Sequence, residues 1–265
     1  MKNSNPIVDQ IIDKFNTVQA MTEMFVTGDS AINGLLVHGN AGLGKTHFVK
    51  KAFIETNSEE SVQYIKGSSM SAAALYCILY ANREKGDVVV LDDVDIIHKG
   101  SGEISAILDL FKGATEPTKG SRILGWQRAS ANQLMRDNGV PMEFDFQGSI
   151  IWITNDSTED IAKKAKGHWT AISSRFRQVP AWLNDQEKLM YTLYLVEEIN
   201  MLGKDCEAIE GGFTEDVIKD TVDYIRKNYR LFNDITPRVA IMIADLRSSY
   251  PTKWEVYADN QLISQ

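Results

Sequence analysis

LLVHGNAGLGKT, the stretch from residue 35 to residue 46, decides the fold class of this chain. An apolar run enters a glycine-rich loop here, and Gly39 to Thr46 fits the pattern G-x-x-x-x-G-K-[ST] in full. Glycines allow backbone angles that aim successive N–H groups into one concavity, where a side chain would collide with a phosphate. The helix expected to begin near Lys45 adds the positive end of its dipole. The stretch therefore predicts the phosphate-binding loop of a nucleotide-binding protein.

Two side chains at the end of this loop would act on the nucleotide directly. Lys45 can reach the terminal phosphates as a compact point charge, and Thr46 offers a hydroxyl to Mg²⁺. The competing interpretation is a chance glycine turn between a strand and a helix. Because a strand precedes the loop and a helix over residues 47–53 follows it, we favour the nucleotide site.

The composition of the 265 residues fits one α/β core with a small second domain. No apolar run is long enough to span a bilayer, and the first residues do not resemble a signal peptide. Cys77 and Cys206 form no CxxC motif, which favours a reducing compartment. We therefore expect a cytoplasmic protein without a membrane partner.

The charge balance restricts the kinds of partner. Lys and Arg number 28 against 36 Asp and Glu, so the net charge of −8 argues against a broadly basic surface that coats nucleic acid. A local basic channel stays compatible with this balance. The four histidines have no metal-ligand spacing, so we expect no zinc site.

DVVVLDDVD, residues 87–95, is the second stretch that carries chemistry. Its β-branched run without alternation predicts a central parallel strand that is covered on both faces. Carboxylates at the end of such a strand lie where ligands bind in open α/β sheets. Asp92 could hold Mg²⁺ through water, and Asp93 could orient the attacking water or accept its proton. The alternative is a solvated acidic turn, and Asp95 could simply cap the next segment.

Two further groups follow later strands. Asn155 comes directly after the apolar strand at residues 149–154, where an amide could hold the attacking water and the terminal phosphate. The alternative for Asn155 is a simple Asx turn. Arg175 and Arg177 flank Phe176 at the start of a last strand. Arginine stabilises negative charge on a transferring phosphoryl group, but arginines are also common at surfaces.

An insert at about residues 113–149 separates the helix at residues 103–112 from the strand that begins at residue 149. It is longer than an ordinary connection. We expect a hairpin of strands at residues 122–126 and 142–146, with a helical turn over residues 130–137 between them. The second strand would place Met142, Phe144 and Phe146 on one face.

The role of this insert stays open at the level of sequence. Its basic residues lie beside Trp126, a mixture that could contact nucleic acid through charge and stacking. The alternatives are a hairpin that covers the sheet edge and a contact between subunits. The basic residues are Lys119, Arg122, Arg128 and Arg136.

Beyond Pro180 the pattern becomes helical. Asn184 is expected to cap a helix over residues 185–202, and Thr214 a helix over residues 215–228. Thr236 and Pro237 would open a last helix that runs through Leu246. The tail carries Trp254 and Tyr257, which could pack back onto these helices.

These motifs, in this order, resemble those of the AAA+ ATPases, and the resemblance covers essentially the whole chain. Gly39–Thr46 resembles Walker A, residues 88–93 resemble Walker B, and Asn155 resembles sensor 1. Residues 174–176 are similar to the arginine-finger segment, and residues 236–238 are similar to sensor 2 of branch-migration motors. Five motifs in order are far more specific than one.

The resemblance implies an α/β fold. The core, residues 1–180, would contain a parallel five-stranded sheet of order 5-1-4-3-2 flanked by helices, with a small all-helical lid at residues 181–265. The approach to sensor 1, FDFQGSII at residues 144–151, is similar to phage- and virus-encoded members, including superfamily 3-like helicases.

The resemblance also implies a mechanism. ATP and Mg²⁺ would lie between core and lid, in a homo-oligomeric ring for which a hexamer is the expected size. Arg238 would reach back to the phosphates, and Arg175 of a neighbouring subunit would complete the site, with Arg177 as the alternative finger. Residues 66–70 occupy the position of the pore loop, a possible contact to DNA together with the insert.

The implied site residues fall into three groups. The catalytic residues are Lys45, Asp93, Asn155, Arg175 and Arg238. The metal ligands are Thr46 and Asp92. The nucleotide contacts are Gly39, Asn40, Ala41, Gly42, Leu43, Gly44, Lys45, Thr46, His47 and Arg238.

Two departures from the family pattern shape the functional hypotheses. Asp93 stands where many members have Glu, and residues 66–70 lack the aromatic-hydrophobic-Gly signature of protein-threading members.

The first hypothesis is a DNA-directed motor, such as a helicase, a loader or a branch-migration motor. The second is a protein-remodelling or assembly chaperone, with Met70 as a soft contact. The third is a nucleotide-dependent structural oligomer with little turnover.

Overall fold

The computed structural model describes residues 5–28, 30–67, 69–118, 120, 122–126, 132–204, 206 and 208–263. Its centre is a parallel sheet of five strands in the order β2-β3-β6-β1-β7, with a separate antiparallel pair, β4 and β5. Counting only the strands of the parallel sheet in chain order, this order is 5-1-4-3-2. The strands are β1 (Gly34–Gly39), β2 (Val62–Lys66), β3 (Val88–Asp92), β4 (Ile123–Gly125), β5 (Glu143–Asp145), β6 (Ser149–Thr154) and β7 (Phe176–Ala181).

Helices alternate with the sheet strands as far as β7 and then follow one another. Those before β7 are α1 (Pro6–Val26), α2 (Lys45–Glu55), α3 (Ala72–Ala81), α4 (Ser101–Ala114), α5 (Gln133–Asp137), α6 (Thr158–Ala165) and α7 (Trp169–Ser173). Those after it are α8 (Asp185–Glu197), α9 (Glu215–Asn228), α10 (Pro237–Ser249) and α11 (Trp254–Leu262). No helix among the described residues has the length and apolar character needed to cross a membrane.

Two hydrophobic clusters cover opposite faces of the central strands. Val88 and Val90 of β3 pack with side chains of α1 and α2, whereas Val89 and Leu91 pack with α3 and α4. Every residue of β3 is buried, as the unbroken apolar run predicts for a strand covered on both sides. Because β3 lies between β2 and β6, its carboxyl end, Asp92, lies on an interior strand at the sheet edge where ligands bind in such folds.

The expected hairpin forms, and its aromatic residues are buried. β4 and β5 pair antiparallel, and α5 lies between them in the chain. Trp126 is 7% exposed, and its ring lies 5.3 Å from that of Tyr76 on α3. Phe144 also contacts Tyr76, with ring centroids 5.0 Å apart. The hairpin therefore packs on α3 and α4.

Burial also corrects two details of the insert. Met142 is 41% exposed, so it does not share the buried face of Phe144 and Phe146. Arg122 is half-buried and donates to Gly148 O at 3.2 Å, which ties it to its own chain. Burial lowers the pKa of its guanidinium. Trp126 is therefore not available to stack on a base, and Arg122 is not free to contact a phosphate. The structure does not describe Lys119, Arg128 or residues 130–131 of the expected helical turn.

The chain divides into two compact units. The larger contains Lys14–Gly39 and Gly44–Trp182. The smaller contains the described residues of 1–13, 40–43 and 183–265. Its helices enclose a hydrophobic core of their own, in which Tyr224 contacts Trp254 of the C-terminal segment at 5.1 Å between ring centroids.

Helix α8 is shorter than expected. Asn184 caps it with a complete capping box, since its side chain accepts from Glu187 N while the Glu187 carboxylate accepts from Asn184 N. The helix ends at Glu197 and not at Leu202, and Asn200 has a left-handed φ of 58°. Asn is among the few residues that adopt this conformation readily, so Asn200 is where the chain leaves the helical direction.

Candidate functional site

The glycine loop has the backbone that its sequence predicts. Gly42 and Gly44 have φ angles of 73° and 96°, which are available to glycine and strained for other residues. Gly39 is needed for a different reason: a Cβ there would lie 2.3 Å from Ala181 O on β7. Gly44 precedes the first turn of α2 in the left-handed conformation, so the loop ends at a helix N-terminus, where anions bind.

Lys45 is held by the residues around the loop. It is 5% exposed, and its Nζ donates to Gly39 O at 2.9 Å and to Asn155 Oδ1 at 2.7 Å. A lysine with so little exposure requires partners, because an ammonium ion without hydrogen bonds is costly to bury. The side chain is therefore folded back across the loop and is bonded to the residue that follows β6.

Thr46 and Asp92 form the second contact of the site. The hydroxyl of Thr46 lies 3.0 Å from Oδ1 and 2.9 Å from Oδ2 of Asp92. Asp92 is 1% exposed, and its backbone O accepts from Gly67 N at 2.9 Å. Strand β3 thus presents a buried carboxylate directly to the first turn of α2.

Asp93 and Asn155 complete a continuous chain of hydrogen bonds. Asn155 Nδ2 donates to Asp93 Oδ1 at 2.8 Å, while its Oδ1 accepts from Lys45. Asp93 has a left-handed φ of 51°, and its N–H donates to Ile153 O on β6 at 3.1 Å. A non-glycine residue in this region is uncommon and marks a backbone held by its surroundings. The structure brings together Lys45, Thr46, Asp92, Asp93 and Asn155.

Tyr64 is part of this cluster and was missed by the sequence reasoning. Its hydroxyl donates to Asp92 Oδ2 at 3.1 Å from the neighbouring strand β2. Burial, followed by the Asp92 charge, raises the pKa of the phenol well above its usual value, so the hydroxyl keeps its proton. The strand order implied by the family resemblance already placed β2 beside β3, but the register that brings Tyr64 within reach of Asp92 was not visible in the sequence.

Arg175 has acceptors within its own chain. Its Nε and Nη2 lie 3.3 and 2.8 Å from Glu116 Oε2, and its Nη1 donates to Ala171 O at 2.9 Å. These bonds from Arg175 lower the pKa of the Glu116 carboxyl. Glu116 follows α4 inside the insert, a position that gave no signal in the sequence. Arg177 lies on β7, and its Nε is buried without a hydrogen-bond partner among the described residues.

The sensor 2 segment begins a helix in the smaller unit. Pro237 is at the first position of α10, and Arg238 is exposed in the first turn. Within the same unit, a Cβ on Gly42 would lie 3.3 Å from Thr236 Oγ1. Leu183 N also donates to Asn40 Oδ1 at 2.8 Å. Gly42 of the glycine loop therefore lies beside Thr236, two positions before Arg238.

Two histidines flank the glycine loop. His38 is the penultimate residue of β1 and is buried, and its Nδ1 accepts from Trp182 Nε1 at 3.0 Å. Burial lowers its pKa, with Glu159 opposing the shift and Lys45 adding to it. His47 is exposed on the first turn of α2, and its ring meets that of Phe48 edge to face. The remaining loop residues divide by burial: Leu43 is buried and Ala41 is exposed.

The segment at residues 66–70 lies next to the acidic strand end. Lys66 is exposed, and Ser69 forms a bridge with Asp95 and accepts from Lys99 Nζ at 2.7 Å. Met70 is 4% exposed and belongs to the core, so the expectation of Met70 as a soft surface contact is wrong. Ser68 lies outside the described residues.

Comparisons with known proteins show what the chain is similar to. The sequence matches no protein-family model. It is 29% identical over 254 residues to an uncharacterized 36.7 kDa protein of the nrdC-mobD intergenic region of Enterobacteria phage T4, covering 94% of this chain and 73% of the relative. This relative fits a phage origin for the chain.

Solved structures share the architecture. A variant of RuvB from Thermotoga maritima superposes with a TM-score of 0.50 at 14% identity, covering 95% of this chain and 68% of RuvB. Domain III of the replication initiation protein DnaA from the same organism gives a TM-score of 0.48 at 12% identity, covering 94% of this chain and 92% of the domain. The chain therefore has the α/β fold with a five-stranded parallel sheet that RuvB has.

Proposed function

We propose that this protein is an ATP hydrolase of the AAA+ type that assembles into a ring and acts on DNA. The observation that carries the proposal is the continuous set of hydrogen bonds from Lys45 through Asn155 to Asp93, next to the Thr46–Asp92 pair. A phosphate-binding lysine, a carboxylate beside a hydroxyl and a second carboxylate beside an amide are the parts that phosphoryl transfer to water requires.

The residues present fit a magnesium ion by the chemistry of their donors. Thr46 and Asp92 offer a hydroxyl and a carboxylate, which are the hard oxygen ligands that Mg²⁺ takes together with waters and phosphates. Thr46 would bind the ion directly, and Asp92 would hold it through water. When bound, the ion neutralises charge on the phosphate oxygens.

Lys45 and Asn155 would exchange partners when the nucleotide binds. The ammonium group has three donors, and the Asn155 amide oxygen accepts one of them in the structure described here. A terminal phosphate oxygen is the stronger acceptor because it is charged. Once Lys45 turns to the phosphate, the Asn155 amide becomes available to the phosphate and the attacking water.

Asp93 would orient that water. Its carboxylate is hydrogen-bonded by Asn155 and lies directly after the buried strand β3. Aspartate is one methylene shorter than the glutamate of many AAA+ members, so the water must sit closer to the backbone. We expect Asp93 to accept the proton of the water as a general base.

Two arginines would complete the site. Arg238 is exposed and, among the described residues, has no side-chain hydrogen bond or ion pair, so it is available to the phosphates. Arg175 would act on the nucleotide of a neighbouring subunit, which requires a ring, with a hexamer as the expected size. Arg175 would then exchange Glu116 for a phosphate, a charged acceptor of the same kind.

The proposed action on DNA rests on the fold and not on the insert. RuvB, whose fold the chain shares, is described as a Holliday junction branch migration motor. Trp126 and Arg122 of the insert do not support DNA contact, because Trp126 is buried and Arg122 is bound to its own chain. We expect DNA to contact the exposed part of residues 66–70 at a central pore. If the chain is phage-encoded, it acts in the host cytoplasm.

The second candidate is a protein-remodelling or assembly ATPase, which the net charge of −8 favours. Phosphate release in the presence of single- and double-stranded DNA separates the two candidates. A DNA-directed motor shows turnover that rises with DNA and is lost in Asp93→Asn. Turnover that requires Asp93 but is indifferent to both kinds of DNA would move the assignment to the protein remodeller.

A further inference from the structure

Asp92 has one partner that the proposed function does not explain. The Thr46 hydroxyl lies within hydrogen-bond distance of both carboxylate oxygens of Asp92. The additional partner is Tyr64 on strand β2, whose hydroxyl lies 3.1 Å from Oδ2. Tyr64 lies opposite Val90 in the β2–β3 register, two residues before the position of Asp92. Its hydroxyl therefore crosses diagonally to the carboxylate, over a distance that an aromatic side chain can span.

The environment of Tyr64 makes this bond directional. Its ring packs on the hydrophobic cluster between the sheet and helices α1 and α2, and Lys50 Nζ of α2 lies 5.3 Å from the ring centroid. These contacts restrict the ring, so the hydroxyl has little freedom to follow the carboxylate. A phenylalanine would satisfy the same packing, so the hydroxyl has a purpose other than filling space.

The bond limits the orientations that Asp92 can adopt. A buried carboxylate with Thr46 as its only side-chain donor could rotate about its last bond, because Thr46 lies almost equally far from both oxygens. Tyr64 contacts Oδ2 alone, which distinguishes the two oxygens and leaves Oδ1 directed elsewhere. Groups that orient a metal-binding carboxylate in this way change metal affinity without touching the metal.

We infer that Tyr64 is a positioning residue that sets the magnesium affinity of the nucleotide site by fixing the carboxylate of Asp92. The inference rests on the proposed function, since it assumes that Thr46 and Asp92 hold the ion. It separates two contributions to nucleotide binding: Lys45 and the glycine loop act without metal, whereas Tyr64 acts only on the part that Mg²⁺ adds.

The test is a Mg²⁺ titration of the affinity for a fluorescent N-methylanthraniloyl-ATP, in the wild-type chain and in Tyr64→Phe. We expect the Mg²⁺ concentration at half-maximal effect to rise about tenfold or more in Tyr64→Phe, as for other partners of metal ligands. Affinity without Mg²⁺ should stay within about twofold, because the ring and the glycine loop are unchanged.

A matched control variant is present in the smaller unit. Tyr224 also donates its hydroxyl to a carboxylate, Asp259, at 2.5 Å, so Tyr224→Phe removes a bond of the same kind. We expect Tyr224→Phe to lower the midpoint of thermal unfolding and to leave the Mg²⁺ titration unchanged. This control separates loss of stability from loss of carboxylate orientation.

The outcomes distinguish the inference from the function on which it rests. If wild-type binding responds to Mg²⁺ and Tyr64→Phe gives the same titration curve, the positioning role is wrong and the magnesium site stands. If Tyr64→Phe weakens binding equally with and without Mg²⁺, the hydroxyl is merely structural. If wild-type affinity is indifferent to Mg²⁺, both the inference and the proposed metal site are overturned.

Discussion

At the scale of single residues, the candidate site depends on polar side chains that are buried or bonded to one another. Lys45, Asp92 and Asn155 could be chosen from the sequence because each follows an apolar strand or a glycine loop of known spacing. Tyr64 and Glu116 could not, because their importance comes from partners that are distant in the chain. Local sequence patterns predict which residues end a strand, and they do not predict which side chains meet across strands.

The first prediction concerns the phosphate-binding lysine. Lys45→Ala removes the ammonium group that bonds Gly39 and Asn155, so we expect nucleotide affinity to fall by about a hundredfold or more. Isothermal titration with ATP measures it. Lys51→Ala is the matched control, since Lys51 lies on the same helix with an exposed ion pair to Glu55. Equal affinity of Lys45→Ala and wild type would contradict the site.

The second prediction concerns the pH dependence of stability at His38. Burial lowers its pKa in the folded chain, so the unfolded chain binds a proton first as the pH falls below about 6.5. The contribution of the neutral imidazole is therefore complete above that pH and is lost as the pH falls towards the lowered value.

The His38 prediction is measured by urea unfolding between pH 7.5 and pH 5. The free energy of unfolding of the wild-type chain should decline over this range. His38→Gln keeps a hydrogen-bond acceptor for Trp182 and should decline less steeply. The same slope in both proteins would mean that other groups cause the pH dependence.

At the scale of the elements, periodicity and capping residues predicted the order of helices and strands from the sequence. They did not predict how the insert packs. Strand alternation identified β4 and β5, and the Asn184 side chain accepts from Glu187 N at the start of α8, as the sequence predicts. The aromatic residues of the hairpin looked equally suited to solvent contact and to burial. In the structure Trp126 is buried, because its ring packs against Tyr76 on the apolar surface of α3.

The third prediction tests this packing. Trp126→Ala removes a large buried side chain from the contact with α3, so we expect the free energy of unfolding to fall by about 3–5 kcal/mol. Chemical denaturation measures the change, and Met142→Ala in the same hairpin should cost much less because Met142 is exposed. If Trp126→Ala instead lost the stimulation of ATP turnover by DNA while its free energy of unfolding stayed unchanged, Trp126 would have to be a nucleic-acid contact.

At the scale of the whole molecule, we propose that a single chain holds most of the site and that a neighbouring subunit supplies Arg175. Arg175 bonds Glu116 and Ala171, and none of its hydrogen bonds to the described residues goes to Asp93 of the same chain. This arrangement agrees with an arginine that acts on a neighbouring subunit. The assembly itself cannot be predicted from one sequence, because it depends on surfaces of two copies at once.

The fourth prediction tests the shared site. Arg175→Ala should bind ATP normally and lose turnover by about a thousandfold, as when other arginine fingers are removed. Asp93→Asn should also be inactive. Mixing the two variants should restore part of the activity, because some interfaces then combine an intact Asp93 with an intact Arg175. Full inactivity of the mixture, with both variants still assembling, would argue that Arg175 acts within its own chain or only structurally.

The most direct test of the central claim is ATP turnover per chain measured against protein concentration, with and without DNA. A site shared between subunits predicts specific activity that rises steeply with concentration and then levels off. The proposed DNA motor further predicts that DNA moves this rise to lower concentrations. Specific activity that is constant over the whole range, while the protein stays monomeric, would contradict the shared site.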